Sequence, residues 1–342
     1  MDSKYSPSPS AAKTGSEWTW GDWLGQIRCR LGSGRMNYGV EPGLYRLGDP
    51  DKSSDVFVSA NYKLSFDVLR RALGGMNAWI LVLDTKGVNV WCAAGEGTFG
   101  TDELVKRIIE ADLSNVVAHK KIVVPQLGAP GVAAHLVKQH TGFKVLFGPV
   151  RAEDIPAYVA AGREATSEMR TVRFPLSDRL VLTPMEIIPS LKVYPAFALA
   201  AFIFFGLGRD GIVFQNGWID GRPFLILGLL AIFAGALLTP ALLDVLPSRS
   251  FAVKGWLAGV AVVAASRFAG VAGHGPRLDG FSFLFFPLAS SYIALQFTGS
   301  TVFTGMSGVK KELKYAVPVY IAGASVSLVL LLAYKLKQTG VL

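Results

Sequence analysis

Beyond residue 190 the chain becomes a series of five apolar segments, at about 191–208, 223–243, 253–271, 280–298 and 315–334, each near the ~20 residues that cross a bilayer as a helix. No other feature constrains the fold as much, because backbone in hydrocarbon must satisfy its own hydrogen bonds, and the second half is therefore predicted to be all-α. The first segment is short and the third carries Arg267, so their ends are the least defined. Within the third, Gly255-x-x-x-Gly259 would let two helices approach closely. A hydrophobic content of 51% and a mean hydropathy of +0.39 are too high for a wholly soluble chain of 342 residues.

Lys and Arg in the short connections set the orientation. With the N-terminal domain in the cytoplasm, the inner connections hold Arg249 with Lys254, and Lys310, Lys311 and Lys314; the outer ones hold Arg209 with Arg222, and Arg277. The bias favours an inner-membrane protein with its N-terminal domain inside, although Lys335 and Lys337 then fall outside. The net charge of +9 comes without a long basic run, so a membrane surface suits it as a partner and nucleic acid does not. Residues 1–16 are rich in Ser, Pro, Ala and Lys, lack an apolar run, and read as a disordered lead-in and not as a secretory signal. Trp18, Trp20 and Trp23, with Arg28, Arg30 and Arg35 behind them, suit either the headgroup region of a bilayer or an edge of the soluble domain.

Residues 17–162 read as one soluble domain, in which from Val56 to about Gly162 apolar runs alternate with helical stretches in the manner of a parallel α/β sheet with crossover helices, a Rossmann-like pattern. The runs at residues 56–60, 79–83, 122–125 and 144–147 read as strands, and those at 65–73, 101–110, 131–140 and 152–161 as helices. Residues 163–190, with three prolines, read as a linker to the membrane segments. In such a sheet the ligand lies at the carboxyl ends of the strands. Those ends carry Ser59 to Tyr62, Asn89 to Gly95, Gln126 to Gly131 (including Gly128), and Gly148 to Val150.

One stretch at that edge carries a thiol. Asn89-Val90-Trp91-Cys92-Ala93-Ala94-Gly95 follows the run Ala78 to Leu83 across the turn Asp84-Thr85-Lys86-Gly87 and reads as a short helix of small residues. A lone Cys between Trp and Ala either fills a gap in the core, which residue type alone favours, or faces something large lying flat against the turn. Trp91 similarly either packs on Trp79 or touches that ligand. Lys63 and Asp67 read as a solvated helix start. The overlapping Gly95-Glu-Gly-Thr-Phe-Gly100 is a literal G-x-G-x-x-G, with Val88 to Ala94 as the strand a dinucleotide site needs before it. The acidic residue that should end the next strand is missing, since Gln126 stands there.

The Asn89–Gly95 stretch resembles the cap-helix motif of the corrinoid protein of microbial mercury methylation, the HgcA family, which is related to the corrinoid iron-sulfur protein. The resemblance extends to Ser59-Ala-Asn-Tyr-Lys-Leu-Ser-Phe-Asp67, to Pro42-Gly-Leu-Tyr45, and to the order of a soluble domain before five membrane helices. The family motif usually continues Gly-Lys, whereas Gly95 is followed here by Glu96. What the resemblance implies is a corrinoid, cobalamin or pseudocobalamin, with Cys92 as the lower axial ligand of cobalt and the catalytic residue. Asn89, Val90, Trp91, Ala93, Ala94 and Gly95 would lie against the ring, and Ser59, Asn61, Tyr62 and Ser65 would bind its amide side chains. His119, His135, His140 and His274 all lack the Asp-x-His-x-x-Gly context of His-ligated cobalamin domains. A strongly donating sulfur ligand on cobalt favours departure of a methyl group from the opposite face with both bonding electrons, which suits mercury(II) as acceptor.

These expectations combine into a membrane-anchored corrinoid methyltransferase that converts mercury(II) to methylmercury. The methyl donor would be a system such as a methyl-folate one. With only Cys29 and Cys92, the chain has neither a disulfide framework nor the four thiols of an iron-sulfur cluster. The resemblance implies a ferredoxin-like partner with two [4Fe-4S] clusters. Two other readings stay open: a corrinoid methyl carrier of one-carbon metabolism, and a transporter or receptor with a cytosolic nucleotide-binding domain. The latter has five spans in its favour and the near absence of ionisable residues in them against it.

Overall fold

The computed structural model describes residues 11–32, 34–209, 211–271, 275–301 and 306–341. Residues 1–10 of the expected lead-in, and His274, lie outside the described residues. The chain divides into two compact units, one reaching Arg173 but without Arg30–Gly32, the other made of Arg30–Gly32 and the chain from Phe174 onward.

In the first unit the elements run β1 (Ala12–Thr14), α1 (Trp20–Arg30), β2 (Gly43–Leu47), β3 (Val56–Ala60), α2 (Lys63–Ala72), β4 (Ala78–Leu83), α3 (Val90–Glu96), α4 (Thr101–Glu110) and α5 (Leu113–Val116). They continue with β5 (Lys121–Val124), α6 (Ala134–Thr141), β6 (Lys144–Phe147), α7 (Ile155–Ala160) and α8 (Ser167–Arg170). The six strands form one sheet in the order β1-β2-β4-β3-β5-β6. Strands β3 to β6 are mutually parallel, while β2 pairs antiparallel with β4. The parallel α/β fold expected from the pattern is therefore present, with two further strands at one edge.

Alternation along each strand divides the core into two layers. Val56, Val58, Ala60, Leu81, Leu83, Ile122 and Val124 pack under α3, α4, α5 and α6, whereas Phe57, Ile80, Val82 and Val123 pack under α2 and α7. Both faces are covered, which is why these strands are continuous apolar runs in the sequence. Each buried Val, Leu or Ile stabilises the unit by roughly 1.5–3 kcal/mol relative to exposure.

The polar end of α2 is buried too. Asp67 is 0% exposed, and its carboxylate receives Lys63 Nζ at 2.7 Å and Arg70 Nε at 2.8 Å. Arg70 also reaches Asp22 of α1 at 2.8 Å and donates to the backbone oxygens of Gly15 and Glu17. Lys63 and Asp67 are thus not a solvated helix start; they belong to a desolvated ionic cluster that ties α1 and the segment before it to α2. Trp18 donates its indole N–H to Asp67 O at 2.9 Å and stacks with Arg71, so this tryptophan covers an edge of the unit.

Two segments are placed differently from the sequence reading. Residues 12–14 of the lead-in pair with Tyr45 to Leu47 as an edge strand. At the other end, residues 163–173 fold back on the first unit: Arg163 forms a bidentate pair with Asp55 at 2.9 Å, and Val150 N donates to Met169 O.

The second unit contains α9 (Leu176–Leu182), α10 (Pro184–Gly206), the two-residue strands β7 (Leu207–Gly208) and β8 (Gly211–Ile212), and α11 (Phe214–Phe233), which runs through a π-helical turn into α12 (Thr239–Ala241). It ends with α13 (Phe251–Phe268), α14 (Pro276–Gln296) and α15 (Met306–Gln338). Among the described residues, five helical stretches are long and apolar enough to cross a membrane: Leu176–Gly206, Phe214–Ala241, Phe251–Phe268, Pro276–Gly299 and Ser307–Gln338. The first begins well before residue 191. Arg267 lies in the last turn of α13, 3.7 Å from Asp279 in the first turn of α14, so this charge is at a helix end.

The glycine pair of α13 acts as its spacing implies. A Cβ on Gly255 would meet Ser290 O at 2.9 Å, and one on Gly259 would meet Pro287 Cα at 2.7 Å. In the space this leaves, Ser290 Oγ donates to Gly255 O at 2.8 Å, and Ser291 Oγ donates to Ala252 O at 2.7 Å. Small residues and interhelical hydrogen bonds together hold α13 against α14.

Candidate functional site

The connection leaving β3 leads to β4 on one side, and the connection leaving β5 leads to β6 on the other. Because β3 and β5 are neighbours, the chain switches direction between them, and the crevice outside their carboxyl ends is where a parallel α/β sheet takes its ligand. Asn61 follows β3 and Gln126 follows β5, one on each side of it. Helix α3 packs against both β3 and the turn Gln126–Gly128, which puts the thiol-bearing helix at this crevice.

The approach to α3 is tightly specified. Asn61 Oδ1 accepts from Thr85 N at 3.0 Å, Thr85 Oγ1 at 2.9 Å and Gly87 N at 2.9 Å. Thr85 is fully buried, and its one hydroxyl hydrogen is shared between Asn61 Oδ1 and Val88 O, the latter at 2.6 Å. The turn needs left-handed backbone at Lys86 (φ 57) and Gly87 (φ 73), a conformation that Gly adopts freely. Glu103 Oε1 receives Asp84 N at 2.8 Å and is itself held by Arg107 at 2.7 Å. A hydrogen bond from Lys86 lowers the Asp84 carboxyl below its ordinary value.

Asn89 then caps α3, its side chain accepting from Cys92 N at 3.0 Å. Asn is among the best residues for this position, since its amide oxygen satisfies a donor the helix leaves open. The spacing i, i+3, i+4 turns Val90, Ala93 and Ala94 into the core, while Trp91, Cys92, Gly95 and Glu96 face outward. Cys92 is exposed, with Asn89 Nδ2 at 3.5 Å from its sulfur. It does not fill a gap in the core. Trp91 is 39% exposed, and Trp79 lies at the opposite, amino end of β4 beside Val56, so the two do not pack together.

The other expected contacts have varied placements. Ser59 is buried, its hydroxyl bonded to Ala60 O, and Ser65 is half-buried. Tyr62 is buried and shares a 2.8 Å hydrogen bond with the thiol of Cys29. Burial, reinforced by that bond, pushes the Tyr62 phenol well above its ordinary range. Gly128 is buried where a side chain would collide with the Phe99 ring, and a Cβ on Gly148 would meet Val123 at 2.8 Å, so both admit protein neighbours. Gly95 has nothing within 4 Å of a Cβ position. Among the described residues Gln126 Oε1 is buried without a hydrogen-bond partner, an acceptor left unused at the crevice.

The dinucleotide motif does not have its required context. Val90–Glu96 is helix and not strand, and Gly97 closes it in the left-handed conformation (φ 86). Gly100 and Gly131 admit close backbone contacts beside Phe99 and Ala94. Thr85 and Glu103 were not singled out by sequence; their partners lie 24 and 19 residues away and no local pattern marks them.

Comparison with known proteins places the first unit among relatives. Residues 33–159 match the family described as CO dehydrogenase/acetyl-CoA synthase delta subunit. The gamma subunit of the acetyl-CoA decarbonylase/synthase complex of Methanopyrus kandleri is 34% identical over 139 residues, 40% of this chain and 29% of that protein. Its counterpart from Archaeoglobus fulgidus is 33% identical over 122 residues, 35% of this chain and 26% of that one. The corrinoid/iron-sulfur protein large subunit of Moorella thermoacetica is 28% identical over 124 residues, 36% of this chain and 27% of that one. The chain thus spans less than a third of the length of these relatives, and the family match lies within the first unit.

Proposed function

We propose that this protein is a membrane-anchored, corrinoid-dependent methyltransferase with mercury(II) as its methyl acceptor. The observation that carries the reading is the outward thiol of Cys92 on a capped helix at the sheet's switch point, in a domain related in sequence to a corrinoid/iron-sulfur protein large subunit. A bound corrinoid supplies a methyl group carried on cobalt. Cys92 offers that metal a soft sulfur donor, and Asn89 orients it from 3.5 Å. Trp91, Gly95 and Glu96 give the rest of the outward face: a flat ring, a missing side chain and a carboxylate. The unpartnered Gln126 Oε1 suits an amide N–H at the rim of a corrin ring. Asn61 acts one step back, holding the turn from which α3 starts.

Mercury(II) enters through the motif resemblance together with the exposed sulfur. With two cysteines in the whole chain, electrons for repeated turnover come from a separate protein. A ferredoxin-like partner with two [4Fe-4S] clusters fits that need, and the five apolar helices retain the assembly at the inner membrane with the first unit in the cytoplasm.

A second reading is favoured by the names of the relatives, which belong to acetyl-CoA decarbonylase/synthase complexes. In it the chain carries methyl groups of one-carbon metabolism. The two are separated by supplying the full chain with corrinoid, methyl donor and reducing partner, then adding mercury(II). The proposal expects methylmercury, identified by mass spectrometry, from the wild type and only background from Cys92→Ala. Methylation of the bound corrinoid by the donor with no methylmercury formed would overturn it in favour of the carrier.

A further inference from the structure

Helix α1 is amphipathic in the reverse of the usual sense for a helix on a soluble domain. At about 100° per residue, Asp22, Gln26 and Cys29 share the side that faces the protein, where all three are largely buried. Trp20, Trp23, Leu24, Ile27 and, one step past the helix, Leu31 fall within a roughly 100° arc on the opposite side. Each of these five is exposed, from Leu31 at 41% to Trp20 at 90%. A helix that buries its polar side and exposes its apolar one has an occupant for the exposed side.

We propose that this face of α1 lies in the headgroup region of an anionic bilayer. Arg28 and Arg30 stand about 80° to either side of the centre of the apolar arc, just beyond its edges, where their stems can follow the apolar surface while the guanidinium groups reach lipid phosphates. The acidic residue of α1, Asp22, is turned inward and neutralised by Lys63 and Arg70, so the outward side presents positive charge alone. Trp20, an indole at the start of the stripe, has the amphipathic character of residues found at membrane interfaces. The bilayer itself is supplied by the same polypeptide, whose second unit has five helices long and apolar enough to cross one.

The test uses the full chain in vesicles of phosphatidylcholine and phosphatidylglycerol. Cys29→Ala and Cys92→Ala remove the native thiols, and Ile27→Cys carries an environment-sensitive nitrobenzoxadiazole label. Lys138→Cys, exposed on α6, is the reference. The expected result is several-fold less quenching by aqueous iodide at position 27 than at 138, with strong quenching by headgroup-proximal nitroxide lipid at 27 alone. Equal access of iodide at the two positions would mean that the face is in water. Protection at 27 from both quenchers would mean that protein covers it. Either outcome overturns the proposal.

Discussion

Asn61 and Thr85 are joined twice: one side-chain oxygen of Asn61 accepts both the amide and the hydroxyl of Thr85, at 3.0 and 2.9 Å. With a third bond from Gly87 N at 2.9 Å, the residue after β3 fixes the turn that launches the thiol-bearing helix from β4. The position of Cys92 therefore depends on a residue in a different loop.

Asn61→Ala removes all three acceptor contacts at about 1 kcal/mol net each, whereas Asn61→Asp keeps an acceptor in place. The amides of Thr85 and Gly87 should lose hydrogen-exchange protection in the first variant and keep most of it in the second. Corrinoid affinity should follow the same order. Equal protection in wild type and Asn61→Ala would show that the turn holds itself.

The ionic cluster beneath α1 should govern stability. Asp67→Asn leaves Lys63 and Arg70 buried without their full counter-charge, and breaking a pair of this kind typically costs about 3–5 kcal/mol. Loss of the first unit's protease resistance at lower temperature, with the membrane helices unaffected, is the expected outcome. The pH dependence has a definite sign. Burial alone would raise the Asp22 carboxyl, but hydrogen bonds from Lys63, Thr19 and Arg70 outweigh it and hold this carboxyl well below the usual carboxylate range. Its stabilising contribution is thus fully present above an ordinary Asp pKa of about 3.9 and is lost as pH falls below that toward the depressed folded value. Asp22→Asn should flatten the acid limb of a stability profile between roughly pH 4 and pH 2.

Close contact between α13 and α14 gives a prediction for the second unit. Gly255→Leu places a branched side chain where Ser290 O already stands 2.9 Å from a Cβ position, and overpacking of a tight contact typically costs about 1–3 kcal/mol or more. A lowered melting temperature of the detergent-solubilised chain is expected, with a smaller drop for Gly255→Ala. Leu at Gly280, where a Cβ meets only the end of Leu330 at 3.7 Å, should be milder.

How much of this was legible depends on whether the signal is local. Strands β3 to β6 are apolar runs bounded by turns, and residues 89–95 read as a short helix, but which way Cys92 faces stays open in the sequence and is settled by the burial of Val90, Ala93 and Ala94. β1, Ala-Lys-Thr, carries no strand signal and exists because Tyr45 to Leu47 offer it an edge. Asp67 reads as a surface charge until Asp22, Trp18 and the backbone at Gly15 are folded over it. Asn61 and Tyr62 sit in the loop where ring contacts were expected, yet their polar atoms are engaged by Thr85, Gly87 and Cys29. Gln126, by contrast, keeps an unused acceptor that only its surroundings reveal.

The most direct test of the central claim is the visible absorption spectrum of the purified full chain reconstituted with cobalamin, for wild type, Cys92→Ala and Cys29→Ala. Cys29 is buried against Tyr62, and its loss should cost about 1 kcal/mol of hydrogen bonding while leaving the thiol of Cys92 in place. If Cys92 holds the cobalt, wild type and Cys29→Ala will share one spectrum and Cys92→Ala will show another, that of cobalt without a sulfur ligand. Identical spectra for wild type and Cys92→Ala, or a change confined to Cys29→Ala, would contradict the assignment.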